Sequence, residues 1–127
     1  MILGFVLDAS ALAALGAGNR TLSRLVVVAH ARPDRHVYVP ALCLAAATAE
    51  RPLIAEHVGH LPQLEVAELD YPAASAAGQL ISEGHDWRIA HAIVLGRPTP
   101  DWQHGRPVIT ANPAAYAGTG AAVVPLN

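Results

Sequence analysis

The sequence contains no lysine, so its 8 fixed positive charges are all arginines. Charged residues make up only 14% of the chain, and the formal net charge is −2. This composition excludes a general basic field of the kind that attracts nucleic acid non-specifically, so any RNA contact must be local. The single cysteine, Cys43, cannot form an internal disulfide, and its apolar neighbours predict a small buried side chain.

Long apolar runs are also missing from the sequence. The first run, MILGFVL, ends at Asp8 and is too short for a signal peptide or a membrane span. We therefore expect a cytoplasmic protein that makes no membrane contact. The absence of lysine further excludes a P-loop nucleotide site, which needs a glycine-rich loop that ends in lysine followed by serine or threonine.

The length and composition predict one domain over residues 1–127, because 53% apolar residues in a chain of 127 can bury one core. Short β-branched runs alternate with alanine- and leucine-rich segments, which indicates an α/β fold with a mostly parallel sheet of about five strands. The predicted strands are 2–7, 36–39, 64–69, 107–110 and 122–125. The predicted helices are 10–17, 21–31, 41–50, 53–60, 72–83 and 86–95, with a surface loop at 96–107.

Asp8 follows the first predicted strand, at the edge of the sheet where parallel α/β folds bind ligands. Two interpretations of this residue are open. Its side chain caps the helix that starts near Ser10, a role that contributes about 1 kcal/mol, or it binds Mg²⁺ or Mn²⁺. The second role needs further oxygen ligands from other strand ends, since these cations are bound by several carboxylates or waters.

Enzymes that place an aspartate early in such a sheet offer a first comparison. Receiver domains and haloacid-dehalogenase-type phosphotransferases combine this aspartate with a lysine that neutralises the phosphoryl group. The chain has no lysine, which argues against both classes.

Four segments of the sequence, taken in order and with their spacing, resemble the PIN-domain family. They are VLDASAL at 6–12, VYVPALCLAAA at 37–47, DWRIAHA at 86–92 and VITANPAAY at 108–116. The family consists of small metal-dependent nucleases found among the toxins of bacterial toxin–antitoxin pairs. The resemblance covers nearly the whole chain and implies a PIN-like three-layer α/β/α fold.

The resemblance also implies roles for individual residues. Asp8 and Asp86 match family acids that bind the metal, and Thr110 matches the family threonine, so these three are the expected catalytic residues. Ser10 and Asn112 match polar positions that support them. The implied cofactor is Mg²⁺ or Mn²⁺, which activates water for phosphodiester cleavage. Asp86 has an alternative interpretation as the N-cap of helix 86–95.

Two acids of the family pattern are missing. The family glutamate falls at Ala46, and Glu50 lies one helical turn further, about 6 Å along the axis. Glu50 is either a displaced replacement or an ordinary exposed residue. The last acid falls at Ala114 or Ala115, where only Asn112 or the loop residue Asp101 could substitute. Two remaining carboxylates would hold one divalent ion weakly, and losing acids that act together costs orders of magnitude in rate.

Arginines near these positions are candidate RNA contacts. Arg88 follows Asp86 closely and Arg106 precedes the fourth strand, so both could meet RNA phosphates. A solvated rim is the alternative interpretation. The histidines, including His57 and His60, carry no HExxH pattern, which argues against a zinc site.

Two hypotheses about function follow from the sequence. The first is a toxin-type, divalent-metal-dependent endoribonuclease that acts on RNA and is paired with an antitoxin protein. The second is a catalytically inactive PIN-like module that binds a protein partner, RNA or a second copy of itself as a homodimer. An apolar helical stripe serves either the core or such an interface; it consists of Leu22, Leu25, Val26 and Ala29.

Overall fold

Five short parallel strands form the centre of the computed structural model, which describes residues 2–126. The terminal residues 1 and 127 of the predicted domain lie outside this range. The strand order is β3-β2-β1-β4-β5, and every neighbouring pair is parallel. The strands are β1 (Leu3–Leu7), β2 (Arg35–Pro40), β3 (Leu64–Ala67), β4 (Val108–Thr110) and β5 (Val123–Pro125).

Six α-helices connect and flank these strands. They are α1 (Ala9–Gly16), α2 (Arg20–Ala31), α3 (Ala41–Glu50), α4 (Leu53–Gly59), α5 (Tyr71–Ser82) and α6 (Trp87–Gly96). Each lies within one residue of its predicted bounds. A short 3-10 helix, Pro113–Tyr116, was not predicted, and β3 ends at Ala67 although the prediction extended to residue 69. None of the helices in residues 2–126 combines the length and hydrophobicity that crossing a bilayer requires.

The sheet separates two apolar cores, because successive side chains of a strand point to opposite faces. Leu7 and Ile109 belong to one core, whereas Val6 and Val108 belong to the other. Helices α1, α2 and α4 cover the first core and α5 and α6 cover the second, while α3 contributes to both. The predicted three-layer α/β/α fold is therefore confirmed. The apolar stripe of α2 packs in the first core.

Gly4 in β1 allows the loop before β4 to close over the sheet. The Trp102 ring from this loop meets the Tyr38 ring edge-on, with 6.1 Å between the ring centres. A Cβ atom on Gly4 would lie 2.9 Å from Trp102 Cη2 and 3.0 Å from Tyr38 Cε2. These distances are too short for carbon atoms, so position 4 has no room for a side chain.

We expect Gly4→Ala to lower the free energy of unfolding by about 1–3 kcal/mol, because the added methyl group overpacks the two rings. The control is Gly78→Ala in α5, where a Cβ atom would have no neighbour within 4 Å. That substitution should stabilise the helix by up to about 1 kcal/mol. Urea unfolding measures both effects, and equal stability of Gly4→Ala and the wild type would contradict the prediction.

His91 is fully buried in α6 and connects this helix to α3. Its Nδ1 accepts a hydrogen bond from the Leu42 backbone N–H at 3.3 Å. Burial lowers the pKa of His91 below its ordinary value of 6.5, and this outweighs the opposing effect of the Asp70 carboxylate. The ring is therefore neutral at pH 7, as an Nδ1 acceptor must be.

Stability should fall as the pH drops below about 6.5, because the unfolded chain then binds a proton that the folded chain does not. The slope is at most about 1.4 kcal/mol per pH unit and ends at the pKa of the folded state. His91→Asn should flatten this dependence in urea unfolding, whereas the exposed His30→Asn should keep it. An undiminished slope in His91→Asn would contradict this role.

Candidate functional site

A cleft of about 240 Å³ opens at the carboxyl ends of β1 and β4. Asp8 directly follows β1 and Thr110 ends β4, and the parallel pairing of these strands brings the two positions together. We call this the Asp8 cleft. Its lining includes every predicted catalytic, supporting and metal-binding residue, together with one predicted RNA contact and two further polar side chains: Asp8, Ser10, Asp86, Thr110, Asn112, Arg88, Glu50 and Tyr116.

The Asp8 carboxylate forms the floor of the cleft and is only 3% exposed. Its Oδ1 accepts hydrogen bonds from Ser10 Oγ at 2.6 Å and from the Ala11 backbone N–H at 3.0 Å. Its Oδ2 accepts one from the Tyr116 hydroxyl at 2.8 Å. Asp8 is thus the N-cap of α1, as the first interpretation required. The cap uses only Oδ1, so the second interpretation, metal binding by Asp8, depends on Oδ2.

The hydroxyls of Ser10 and Thr110 join the start of α1 to the end of β4. Ser10 Oγ accepts a hydrogen bond from the Ala111 backbone N–H at 2.9 Å and lies 3.4 Å from Thr110 Oγ1. Thr110 Oγ1 in turn accepts one from the Asn112 backbone N–H at 3.0 Å. Both hydroxyls therefore hold the backbone in place around Asp8.

Asp86 lies at the rim of the cleft and caps α6. Its Oδ1 accepts hydrogen bonds from the Arg88 backbone N–H at 2.9 Å and from Arg88 Nε at 3.2 Å. The two side chains are 47% and 54% exposed respectively, so their ion pair contributes little to stability. No hydrogen bond to Asp86 Oδ2 is found within residues 2–126. Asp86 is therefore a cap with one carboxylate oxygen still free to bind a ligand.

Glu50 supplies the third carboxylate of the cleft. It is the last residue of α3 and is exposed, while Ala46, one turn earlier, is buried. Its interpretation as an exposed residue holds, yet the same side chain lines the Asp8 cleft. Asp101 does not replace a missing acid, because it lies beside Trp102 and lines other clefts.

Tyr116 is the site residue that the sequence did not reveal. It ends the 3-10 helix and is buried, with its hydroxyl directed at Asp8. Burial raises the pKa of Tyr116, and the negative charge of Asp8 raises it further, so the hydroxyl remains a donor. The signal available in the sequence was its place at the end of VITANPAAY, just beyond the position of the missing acid.

Cys43 lies near the Asp8 cleft without taking part in it. The side chain is fully buried, as predicted, and its Sγ donates a weak hydrogen bond to the Arg88 carbonyl at 3.5 Å. Burial, followed by the charge of Asp8, raises the pKa of the thiol to about 12. Cys43 is therefore a protonated, unreactive packing residue.

The two predicted RNA contacts lie in different places. Arg88 lines the Asp8 cleft, whereas Arg106 precedes the amino end of β4 and is absent from that lining. The Arg106 guanidinium carbon lies 4.9 Å from the ring centre of Tyr38 and 5.3 Å from that of Trp102. Its Nε donates to the Leu95 carbonyl at 3.2 Å. The structure thus holds Arg106 in a cation–π stack and leaves Arg88 at the cleft.

The donor set of the cleft fits a loosely held cation. Within residues 2–126, no three His, Cys, Asp or Glu side chains are close enough to share one metal ion. A carboxylate has about four lone-pair sites, and hydrogen bonds use three of those on Asp8. Magnesium keeps several waters and is often bound by one or two carboxylates. Asp8, Asp86 and Glu50 line the cleft, so carboxylate oxygens are available there to a hydrated ion.

No protein-family model matches the chain, and no curated protein matches it at a significant level. Functional assignment therefore rests on the fold and on the residues of the Asp8 cleft.

Ser10→Ala removes the hydroxyl that donates to Asp8. Since a hydrogen bond to a charged group contributes about 1.5–3 kcal/mol, we expect a comparable loss in the free energy of unfolding. The exposed Ser75→Ala in α5 should change it by less than about 0.5 kcal/mol. Chemical denaturation compares the two variants, and similar small effects would show that water replaces the Ser10 hydroxyl at Asp8.

Proposed function

We propose that this chain is a PIN-like endoribonuclease that uses one weakly held Mg²⁺ or Mn²⁺ ion. The observation that carries this proposal is the convergence of Asp8, Asp86 and Glu50 on one cleft. These acids come from distant parts of the chain, and they line one cleft at the edge where parallel α/β sheets bind ligands. Two of them are the acids that the resemblance to the family assigns to metal binding.

The charge of the cleft favours a cation. Three carboxylates and one guanidinium, that of Arg88, line it, so the acids are in excess. The side-chain oxygen atoms of the lining residues belong to carboxylates, hydroxyls and an amide. Oxygen atoms of this kind are the hard donors that Mg²⁺ and Mn²⁺ prefer. When bound, such an ion supplies Lewis acidity toward a phosphodiester and activates water.

Asp8, Arg88 and Asn112 have different roles in this proposal. Hydrogen bonds from Ser10 Oγ and from the Ala11 backbone N–H to Oδ1 fix the orientation of the Asp8 carboxylate. Arg88 is paired with Asp86 by a weak exposed contact, so its guanidinium can turn to an RNA phosphate at little cost. The exposed Asn112 side chain offers an amide donor and acceptor to the ribose or to a water.

Asp86→Asn tests this proposal without removing the helix cap, since asparagine caps helices as well as aspartate does. We expect Mn²⁺ affinity in calorimetry to fall by about tenfold, a loss of about 1.4 kcal/mol in binding free energy. Mn²⁺-dependent cleavage of single-stranded RNA should fall by at least as much, because a weaker metal complex also loses its position.

The matched control is Asp70→Asn. Asp70 is an exposed aspartate that also caps its helix through a backbone N–H, accepting from that of Ala73 at 3.0 Å. It lies outside the Asp8 cleft. This variant should bind Mn²⁺ and cleave RNA like the wild type. If the wild type bound no Mn²⁺ at millimolar concentration, or if Asp86→Asn bound it equally well, the nuclease proposal would fail.

A non-catalytic binding module is the second candidate, and one observation favours it. The chain compensates its own acids, because three donors contact Asp8 and Arg88 pairs with Asp86. Such a module would bind RNA, an antitoxin-like protein or a second copy without a metal. RNA binding that persists in EDTA without cleavage, and weakens in Arg88→Ala, would support this candidate.

A further inference from the structure

The Tyr116 hydroxyl occupies the one oxygen of Asp8 through which a cation has to bind. Both lone-pair sites of Oδ1 already accept hydrogen bonds, from Ser10 and from the Ala11 backbone N–H. A cation must therefore approach Oδ2, where the Tyr116 hydroxyl donates at 2.8 Å. The hydroxyl proton carries positive charge, so the donor and the cation repel each other at this oxygen.

We propose that Tyr116 takes the place of a cation at Asp8, compensating the buried carboxylate in the metal-free protein and competing with metal for Oδ2. This inference rests on the proposed function, since it concerns the same cleft. It assigns Tyr116 the role of an occluding residue that sets metal affinity. It also accounts for a buried acid in a cleft whose other two carboxylates are exposed.

The local structure keeps the Tyr116 side chain in position. Tyr116 is only 3% exposed, and its carbonyl accepts hydrogen bonds from Thr119 Oγ1 at 2.6 Å and from the Thr119 backbone N–H at 3.2 Å. Thr119 is itself buried, and its Oγ1 accepts a hydrogen bond from the Ala121 backbone N–H at 3.3 Å. The hydroxyl is thus presented to Asp8 by a packed turn, and a cation cannot displace it by a free side-chain rotation.

The position of Tyr116 in the chain supports this exchange. It lies within VITANPAAY, the segment in which the resemblance predicts the last family acid at Ala114 or Ala115. An acid there would add negative charge beside Asp8 and require a cation. The same segment instead delivers a neutral donor, which satisfies Asp8 without one.

Tyr116→Phe tests the competition, because it keeps the ring and removes only the hydroxyl. Calorimetry should show Mn²⁺ binding about tenfold tighter than in the wild type. The variant should also melt at a lower temperature than the wild type in EDTA, and Mn²⁺ should restore more of its stability. The control is Tyr71→Phe, which removes a hydroxyl from a side chain that is 88% exposed and should match the wild type throughout.

The outcomes separate this inference from the proposed function. If the wild type binds Mn²⁺ and Tyr116→Phe binds it with equal or weaker affinity, the inference is overturned and the nuclease proposal stays intact. Binding by Tyr116→Phe but not by the wild type supports the inference and counts against the nuclease proposal. Absence of binding in both proteins overturns both.

If Tyr116→Phe does not fold in EDTA, folding in the presence of Mn²⁺ supports the inference. A second measurement uses the wild type labelled with ¹³C at the Cζ atoms of its 3 tyrosines. Saturating Mg²⁺ should shift the Tyr116 signal and leave the Tyr71 signal in place. A Tyr116 signal that does not move at saturation overturns the inference. The inference is also overturned if the wild type binds no Mg²⁺ and Mn²⁺ does not restore the folding of Tyr116→Phe.

Discussion

The burial of one negative charge at the end of the central strand constrains the rest of this structure. Asp8 is almost fully removed from water, and an uncompensated carboxylate in such a place would cost several kcal/mol. The chain meets this requirement with three donors from two segments: the Ser10 hydroxyl and the Ala11 backbone N–H at the start of α1, and the Tyr116 hydroxyl of the 3-10 helix after β4. The end of β4 has to lie beside β1 for these donors to reach, so the charge of Asp8 and the register of the sheet depend on each other.

Local signals explain why the elements of the fold were predictable from sequence. Pro40 precedes α3 and Pro72 lies in the first turn of α5, and each favours a helix start for a known reason. Asp70 and Asp86 accept hydrogen bonds from the first turns of α5 and α6, as caps do. Such signals act over a few residues, so they mark element boundaries without a knowledge of the tertiary structure.

The failures of prediction have a different origin, because they depend on distant contacts. The strand prediction extended over Glu68 and Leu69, but the pairing of β3 with β2 ends where Pro40 meets Ala67. The partner of the Tyr116 hydroxyl lies 108 positions earlier in the chain. The location of Arg106 was equally unpredictable, since it follows from two rings contributed by β2 and the loop before β4. The candidate acids Asp8 and Asp86 were identified from the sequence. Whether Glu50 lines the same cleft depends on the orientation of α3, which local signals do not determine.

Helix α3 packs in both cores, and this limits which parts of the protein can change during evolution. Sliding or tilting this helix would open packing on both faces of the sheet, so the part of the cleft beneath Asp8 is fixed by the whole fold. The rim residues are exposed, so substituting them disturbs little packing; they are Glu50, Asp86 and Arg88. The rim of the cleft therefore tolerates substitution better than the part beneath Asp8, although the two lie close together. Descendants of this sequence can exchange the charges of the rim, and with them the ligand, while the scaffold that presents those charges stays unchanged.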